Sequence, residues 1–344
     1  MTKYESTCEM RTIADRLRSA NRIAVISHAK PDGDAAGSIL AAARALRSMG
    51  KRADGFFTGV VDPNIHALAL PGEVLIAPAS LPDPETDLAL LLDTGSWSQV
   101  EPLDVWLKSM AGRVVGLDHH ARGDGIASDR VVDCSMASCT QLLAQLIDEL
   151  GVPFVVAGSP RFSIAEALFV GLATDTGWFR YQSADAAVFK LASRLLSLGV
   201  HKVALVQLLD ENGRPVRLAA MARALSSLTF HMNGRATVMS ISHLDFAQTG
   251  ANSDDVGGIV NIPLAIGSIV LSAVLTETQP GITKISFRSK PDSTGAPCVN
   301  VSEFASQFGG GGHALAAGAK IKAPISDARA AIHAAISALA EPSK

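Results

Sequence analysis

Residues 23–34 read IAVISHAKPDGD, a short apolar run that leads into a histidine and two aspartates. The run at 23–27 is rich in β-branched residues, and a helical pattern at 35–49 follows the polar loop. Short apolar strands that alternate with helices are typical of a parallel sheet covered on both faces. This stretch therefore predicts the first strand–loop–helix unit of an α/β fold.

The same order recurs along the first two hundred residues. Apolar runs at 88–92 (LALLL) and 113–117 (RVVGL) predict two more buried strands, and helical patterns lie at 97–109, 138–150, 163–174 and 184–198. Together these elements predict a doubly wound, mainly parallel sheet in a domain at residues 1–200. A more polar helical stretch at 205–227, interrupted by Gly213 and Pro215, predicts a linker at 201–228.

The pattern changes near Phe230. Residues 236–242, 269–276 and 282–288 predict strands, and residues 255–263, 302–308 and 326–339 predict helices. We therefore expect a second, smaller domain of mixed α/β structure at residues 229–344.

Composition agrees with two folded domains, because 344 residues exceed the size of one typical domain. An apolar fraction of 48% against 18% charged residues excludes a disordered chain. The net charge of −3 argues against sequence-independent binding of a nucleic-acid duplex through a broad basic surface. The charge is uneven, at −5 over residues 1–200 and +2 over residues 201–344.

The four cysteines include no C-x-x-C pair, which is typical of reduced thiols in a cytosolic protein. The opening residues lack the apolar core of a signal peptide. No apolar run approaches the roughly 18 residues that a membrane span needs. We expect a cytoplasmic protein that does not contact a membrane.

Side chains capable of metal chemistry follow the first predicted strand. His28, Asp32 and Asp34 lie within seven residues at its carboxyl end, where open parallel sheets bind their ligands. One imidazole and two carboxylates suit manganese, magnesium or iron better than a structural zinc site. The alternative is a Pro-Asp-Gly turn beside a chance histidine, and this stretch alone does not decide between them.

The same residue types recur at three more places. Asp93 follows LALLL, Asp118, His119 and His120 follow VVGL, and Asp175 follows the helical pattern at 163–174. One aspartate in such a place is typical of helix capping, but the repetition favours a shared site. Four carboxylates and two imidazoles suffice for two divalent ions when one carboxylate bridges them. The candidate ligands are His28, Asp32, Asp34, Asp93, His119 and Asp175.

Four blocks, SHAKPDGDAAGS, LLDTGS, GLDHH and TDTGWFRY, span residues 27–181 and resemble, in order, the motifs of the DHH phosphoesterase superfamily. Two later blocks, FRSK at 287–290 and QFGGGGHALAAGA at 307–319, resemble the DHH-associated C-terminal domain. The resemblance covers nearly the whole chain. It implies a phosphoester hydrolase whose active site lies in the cleft between its two domains.

The resemblance also implies roles for the candidate residues. Hydrolysis would use a hydroxide activated by two divalent ions, with manganese favoured and magnesium or cobalt as alternatives. Asp93 would bridge the ions, and Asp118 would orient the neighbouring histidines. The remaining ligands divide into His28 with Asp32 for one ion, and Asp34, His119 and Asp175 for the other. His120 would contact the scissile phosphate, stabilise charge there or assist the leaving group.

The glycine-rich block suits phosphate binding on its own chemistry. Four consecutive glycines at 309–312 let the backbone approach a ligand closely and offer several N–H donors. We expect them to open onto a helix at 313–319, whose N-terminus favours anions. Arg288 ends a predicted strand and can donate two parallel hydrogen bonds to a phosphate. The candidate substrate-binding residues are Arg288, Gly310, Gly311, Gly312 and His313.

Among superfamily members, the chain is similar to the short two-domain oligoribonuclease/pAp phosphatase type, where pAp is 3′-phosphoadenosine 5′-phosphate. That likeness implies hydrolysis of short RNA or DNA oligonucleotides, pAp or both, and a homodimer. Alternatives are a cyclic dinucleotide phosphodiesterase, a family II-like inorganic pyrophosphatase and a nucleotide sensor without catalysis. Residues 121–123 (ARG) and 137–141 (ASCTQ) depart from the family pattern, so the resemblance does not fix substrate preference.

Overall fold

A computed structural model describes residues 4–155 and 163–340. The chain divides into two compact units, Met1–Asn212 and Gly213–Lys344. The first unit holds six strands, which are β1 (Arg22–Ala29), β2 (Arg52–Thr58), β3 (Val74–Ala77), β4 (Leu88–Leu92), β5 (Val114–Asp118) and β6 (Asp129–Val132). They form one sheet in the order β3-β2-β1-β4-β5-β6, and every neighbouring pair is parallel. The predicted α/β class with a parallel sheet is confirmed.

Helices flank this sheet on both faces. They are α1 (Met10–Ser19), α2 (Gly33–Ser48), α3 (Pro63–His66), α4 (Asp104–Ser109), α5 (Cys139–Leu150), α6 (Ile164–Asp175), α7 (Ala186–Ser197) and α8 (Lys202–Leu209). Buried side chains alternate along β1: Ile23 and Val25 pack into the core with α1, α2, α5 and α6, whereas Ala24 and Ile26 pack into the core with α4. This alternation follows from the period of two in a strand.

The order of the strands changes direction at the centre of the sheet, between β1 and β4. Successive strands are added from β1 toward one edge of the sheet and from β4 toward the other, although all six strands run parallel. The connections after these two strands therefore leave toward opposite faces. Such a reversal opens a crevice at the carboxyl ends of the two strands. The loops that carry Asp32 and Asp93 begin at these ends, and His119 and His120 follow the neighbouring strand β5.

The second unit contains a mixed sheet. Its strands are β7 (Thr229–His231), β8 (Ala236–Ile241), β9 (Leu271–Gln279), β10 (Ile282–Ser289), β11 (Gly311–His313) and β12 (Ala316–Ile321). The sheet order is β11-β12-β10-β9-β8-β7, with β8 and β9 parallel and the other pairs antiparallel. Helices α9 (Val216–Ser226) and α10 (His243–Thr249) pack with one core, and α11 (Val301–Ser306) and α12 (Ile325–Ala340) with the other.

One predicted element is wrong. Residues 313–319 were expected to form a helix, but they belong to β11 and β12, with Gly311 opposite Gly318 and Gly312 opposite Ala317. Ala317 and Ala319 are buried at alternate positions, which is the period of a strand. Pairing with β10 supplies the backbone hydrogen bonds of β12 and overrides the helix propensity of alanine.

Smaller differences have local causes. The stretch at 97–109 is a 3-10 turn (Trp97–Gln99) followed by α4 rather than one helix, because Pro102 between them lacks a backbone N–H. The stretch at 255–263 is likewise two 3-10 turns, Asp254–Val256 and Ile259–Ala265. No single helix among the described residues is long and apolar enough to cross a membrane, and only the bent pair of α7 and α8 meets that criterion jointly.

Candidate active site

The first part of the site is the turn from β1 into α2. His28 lies near the end of β1, and Asp32 is the N-cap of α2. Asp32 Oδ1 accepts hydrogen bonds of 3.0 Å from the backbone N–H groups of Asp34 and Ala35. These bonds satisfy donors that the first helical turn leaves unpaired. Asp32 therefore caps α2 through Oδ1 and also lies with His28 and Asp93 in a group of metal-ligating size.

Asp34 lies in the first turn of α2 and is 1% exposed. Its carboxylate accepts hydrogen bonds from the backbone N–H groups of Cys139 at 2.6 Å and Thr140 at 3.0 Å, at the start of α5. The positive end of that helix favours a negative charge. Burial, and then the charges of Asp93 and Asp175, nevertheless raise the pKa of Asp34 well above its usual value. The charge of His119 acts in the opposite direction but does not offset these effects.

Asp34 can lie this deep because α2 and α6 approach closely. A Cβ at Gly37 would lie 2.4 Å from the carbonyl oxygen of Ala167, and a Cβ at Gly171 would lie 2.4 Å from Asp34 Oδ1. Glycine at these two positions therefore makes room for the helix contact and for the carboxylate itself.

Asp93 occupies the centre of the site. It follows β4 with a φ of 59°, a left-handed conformation that is uncommon for a residue with a side chain. Asp93 Oδ2 lies 3.4 Å from His28 Nε2, and Oδ1 lies 3.2 Å from His119 Nε2. Although burial opposes ionisation, His119 and His28 lower the pKa of Asp93. Asp93 is therefore a carboxylate placed between two imidazoles.

The two imidazoles share one arrangement. His28 Nδ1 lies 3.1 Å from the carbonyl oxygen of Ala29, and His119 Nδ1 lies 3.3 Å from that of Met136. A carbonyl accepts only, so each Nδ1 carries the proton and each Nε2 is free to act as a ligand. His119 Nε2 also lies 3.4 Å from Asp175 Oδ2, at the end of α6.

The donor atoms fall into sets of metal-ligating size. His28, Asp32 and Asp93 form one set, and Asp34, His119 and Asp175 form another, each with its ligating atoms within 4.8 Å of one another. Asp93 also groups with His119 and His120, so it joins the two sets. The structure thus brings together all six residues that the sequence predicts as metal ligands.

The spacing of these atoms fits metal ligands better than direct partners. Buried Asp93 Oδ1 makes no hydrogen bond with any described residue, even though His119 Nε2 is 3.2 Å away. Two ligands about 2.1 Å from a shared ion lie roughly 3.0–3.4 Å apart. An imidazole nitrogen and a carboxylate oxygen at that separation, without hydrogen-bond geometry, suit a divalent ion between them.

The protonation of the metal-free cluster supports the same fit. Burial disfavours charge on His28 and His119, but Asp32 and Asp93 raise the pKa of His28 to about 11, and Asp93 and Asp34 raise that of His119 to about 9. Burial raises the pKa of Asp175 to about 6. The cluster therefore holds protons where divalent ions would place positive charge.

His120 is arranged differently from His119. Its Nδ1 lies 2.7 Å from Asp118 Oδ1, and its side chain is 48% exposed. The hydrogen bond to Asp118 is the main reason that the pKa of His120 is raised. Asp118 Oδ2 accepts a further hydrogen bond of 2.8 Å from the Tyr4 hydroxyl. Tyr4 was not predicted, because its position 114 residues before Asp118 carries no local pattern.

Asp175 ends α6 in an unusual turn. Gly177, Trp178 and Phe179 all have a positive φ, between 57° and 63°. Only glycine adopts this conformation at low cost, so the turn is held by its surroundings. Arg180 Nε donates to the carbonyl oxygen of Gly177 at 2.7 Å, which ties the turn closed beside Asp175.

The predicted phosphate-binding residues lie at one edge of the second unit's sheet. Arg288 on β10 and His313 on β11 are both paired with Ala316 on β12. Directly opposed residues in neighbouring strands share a face of the sheet. Arg288 and His313 therefore occupy one face, and their backbones are two strand spacings, or about 10 Å, apart across the sheet.

The glycines beside His313 are not equivalent. A Cβ at Gly310 would lie 2.1 Å from the carbonyl oxygen of Gly318, and one at Gly312, whose φ is 143°, would lie 2.7 Å from that of Ala316. A Cβ at Gly311 would meet nothing within 4 Å. Strand packing thus requires glycine at positions 310 and 312, whereas position 311 has room for a side chain.

The comparisons with known proteins agree with these motifs. The DHH family, N-terminal domain, matches residues 22–172, and the DHHA1 domain matches residues 233–341. The bifunctional oligoribonuclease and PAP phosphatase NrnA of Thermus thermophilus is 32% identical over 91% of this chain and 89% of its own length.

Solved structures show the same fold. An exopolyphosphatase-related protein from Bacteroides fragilis superposes with a TM-score of 0.85 at 23% identity, covering 99% of this chain and 98% of that one. RecJ of Thermus thermophilus in complex with Mn²⁺ superposes with a TM-score of 0.52 at 15% identity, over 96% of this chain and 54% of RecJ. The chain therefore belongs to the DHH family of phosphoesterases, with a DHHA1 domain after its DHH domain.

Proposed function

We propose that this chain hydrolyses short oligonucleotides and pAp with the help of two divalent ions held in the first unit. The observation that carries the proposal is the pair of ligand sets that meet at Asp93. The Thermus thermophilus relative, named an oligoribonuclease and PAP phosphatase, supports the substrate class because it matches along most of both chains.

Each ligand has a proposed place. His28 and Asp32 hold one ion, Asp34, His119 and Asp175 hold the other, and Asp93 bridges the two. Bound divalent ions supply an activated water and neutralise charge on the phosphoryl oxygens. The mixture of carboxylate and imidazole ligands favours manganese, with magnesium and cobalt as alternatives.

The remaining side chains act on the substrate. His120, oriented by Asp118, presents Nε2 to the scissile phosphate, where it stabilises charge or gives a proton to the leaving oxygen. In the second unit, Arg288, His313 and the backbone N–H groups of Gly310, Gly311 and Gly312 hold a substrate phosphate. Only a few phosphates need to be bound, which agrees with the net charge of −3.

The proposed setting follows from the substrates. Nucleotides and short RNA are found in the cytoplasm, and the free cysteines among the described residues agree with a reducing compartment. We also propose that the protein is a homodimer, which light scattering on the purified chain measures directly.

One panel of substrates tests the function. The purified full chain, with manganese, is incubated with pAp, end-labelled RNAs of two to five nucleotides, cyclic di-AMP and pyrophosphate. We expect phosphate from pAp and mononucleotides from the RNAs, and no turnover after chelation. Hydrolysis of pyrophosphate alone would support a pyrophosphatase instead, and hydrolysis of cyclic di-AMP alone would support a cyclic dinucleotide phosphodiesterase. Binding of nucleotides without turnover would support a sensor.

A further inference from the structure

Residues 4–8 extend along the outer edge of the parallel sheet. The Ser6 hydroxyl donates to the carbonyl oxygen of Val132 at 3.0 Å and accepts from the Val132 N–H at 2.8 Å. The Thr7 N–H donates to the carbonyl oxygen of Arg130 at 2.9 Å, and the Thr7 hydroxyl accepts from the Arg130 N–H at 2.9 Å. The segment therefore covers the edge strand β6 and runs antiparallel to it, so that its first residue, Tyr4, lies toward the carboxyl end of the sheet.

At that end the Tyr4 ring occupies a slot between two site loops. A Cβ at Gly95 would lie 2.1 Å from the Tyr4 hydroxyl, and a Cβ at Gly123 would lie 2.5 Å from the Tyr4 ring. The Arg130 guanidinium lies 5.3 Å from the centre of the ring. Neither glycine has a positive φ, so what glycine provides at both positions is space for this ring.

The two loops that form the slot are tied to each other. The Asp124 N–H donates to the carbonyl oxygen of Gly95 at 2.8 Å, and Asp124 Oδ2 accepts from the Trp97 N–H at 2.8 Å. One loop follows Asp93 and the other follows His120. These two hydrogen bonds between the loops hold the slot open for the Tyr4 ring.

The Tyr4 hydroxyl completes the hydrogen bonding of a buried carboxylate. It donates to Asp118 Oδ2 at 2.8 Å, while Asp118 Oδ1 accepts from the His120 N–H at 3.1 Å and faces His120 Nδ1 at 2.7 Å. Burial, and then the charge of Asp118, raise the pKa of Tyr4 far above its ordinary value, so the hydroxyl stays protonated and donates. Asp118 is 1% exposed and has a donor on each oxygen.

We propose that Tyr4 is a positioning residue, which fixes the Asp118 carboxylate so that His120 keeps its Nδ1 toward Asp118 and its Nε2 toward the substrate. The catalytic part of this inference rests on the proposed function. A chain of hydrogen bonds thus links the segment at residues 4–8 to the one site histidine that belongs to neither of the two proposed ligand sets. The mechanism is geometric, because a carboxylate held on one oxygen only can rotate and release the imidazole.

The kinetic test compares three variants under saturating manganese. Tyr4→Phe keeps the ring and removes the hydroxyl, Gly123→Ala keeps the hydroxyl and displaces the ring, and Ser6→Ala weakens the edge pairing without touching the slot. We expect Tyr4→Phe to lower kcat by about tenfold with KM unchanged, the range typical of residues that orient a site histidine. Gly123→Ala should lower kcat similarly, and Ser6→Ala should retain wild-type kcat.

A double-variant cycle separates positioning from general stabilisation. If Tyr4 acts through His120, Tyr4→Phe should lower kcat little or not at all in a His120→Ala background. Manganese affinity and the melting temperature of the folded protein should stay close to those of the parent. Equal losses in both backgrounds, or a loss of manganese affinity, would overturn the inference.

A spectroscopic readout on the metal-free protein does not depend on activity. In histidine-labelled protein, at one fixed pH at which the ring is neutral, the nitrogen spectrum of His120 should show Nδ1 protonated and Nε2 free. Tyr4→Phe should mix the two ring forms, while Ser6→Ala leaves them as in the wild type. A His120 spectrum unchanged by Tyr4→Phe contradicts the inference even when no substrate is turned over. If Tyr4→Phe changes the His120 spectrum but the wild-type protein hydrolyses none of the substrates, only the proposed function is contradicted.

Discussion

The ligand cluster of the first unit and the glycine segment of the second unit are equally distinctive in the sequence, but they differ in the structure. Six side chains from four separate stretches converge in the first unit, and their candidate ligating atoms lie within 4.8 Å of one another in sets of three. In the second unit, the expected helix N-terminus after the glycines is instead an antiparallel pair of strands.

The difference shows which kind of sequence pattern predicts where residues lie in the structure. Residues that directly follow buried parallel strands must meet at one edge of the sheet, whatever the loops between them do. A run of glycines states only that the backbone needs room or freedom. It does not state whether a phosphate or a neighbouring strand takes that room.

The largest effect is expected from the centre of the cluster. Asp93→Asn removes the charge shared by both ligand sets, and a bound ion contributes several kcal/mol of charge stabilisation, so kcat should fall by roughly a thousandfold. Steady-state hydrolysis of a short RNA measures this. The matched control is Asp104→Asn on the surface of α4, which should keep wild-type turnover. Near-normal kcat in Asp93→Asn would remove the cluster from the mechanism.

The adjacent histidines offer a sharper comparison within the same region. His120→Ala should lower kcat by about a hundredfold, the size typical of a lost acid–base or charge-stabilising group, and leave manganese affinity unchanged. His119→Ala should weaken manganese binding instead, because its Nε2 lies within 3.4 Å of Asp93 and Asp175. Turnover and calorimetric titration on both variants separate these roles. Loss of metal binding in His120→Ala would reverse the assignment.

The glycine segment is tested by a neighbouring pair. Gly310→Ala places a Cβ against the carbonyl oxygen of Gly318 and should lower the free energy of unfolding by about 2 kcal/mol, as overpacking does. Gly311→Ala meets open space and should unfold like the wild type. Denaturant melts of both variants measure the difference. Equal stability would mean that β11 and β12 do not pair as described.

The smallest expected effect is a pH dependence of metal affinity. The raised pKa values of His28 and His119, about 11 and about 9, keep both rings protonated at pH 7 when no ion is bound. Each ion must displace a proton, so affinity should rise by about tenfold per pH unit and level off above the pKa. Titration calorimetry in buffers of different ionisation enthalpy measures the released protons. Binding without proton release would contradict the tautomers and charges described for the cluster.

The fold class and the convergence of the six candidate ligands were within reach of the sequence. The strands at 88–92 and 113–117 lie within one residue of their predicted bounds, because continuous apolar runs define buried strands. The edge strands β3 and β6 were missed, since half-buried residues there do not form such a run. The roles of the six converging residues as ligands stay a proposal.

The supporting residues of the site could not be read from the sequence. The backbone N–H groups of Cys139 and Thr140 hold Asp34, and a backbone group leaves no mark on residue type. This explains how the chain can depart from the family pattern at 137–141 and still place a carboxylate there. Tyr4 was missed for a related reason, because its partner is distant and the two glycines that admit its ring resemble ordinary turn residues.

The most direct test of the two-ion site is anomalous scattering at the manganese edge from a crystal grown with manganese. We predict two peaks, one within bonding distance of His28, Asp32 and Asp93 and the other within bonding distance of Asp34, His119 and Asp175, with Asp93 contacting both ions. A single peak, or peaks away from Asp93, would contradict the account.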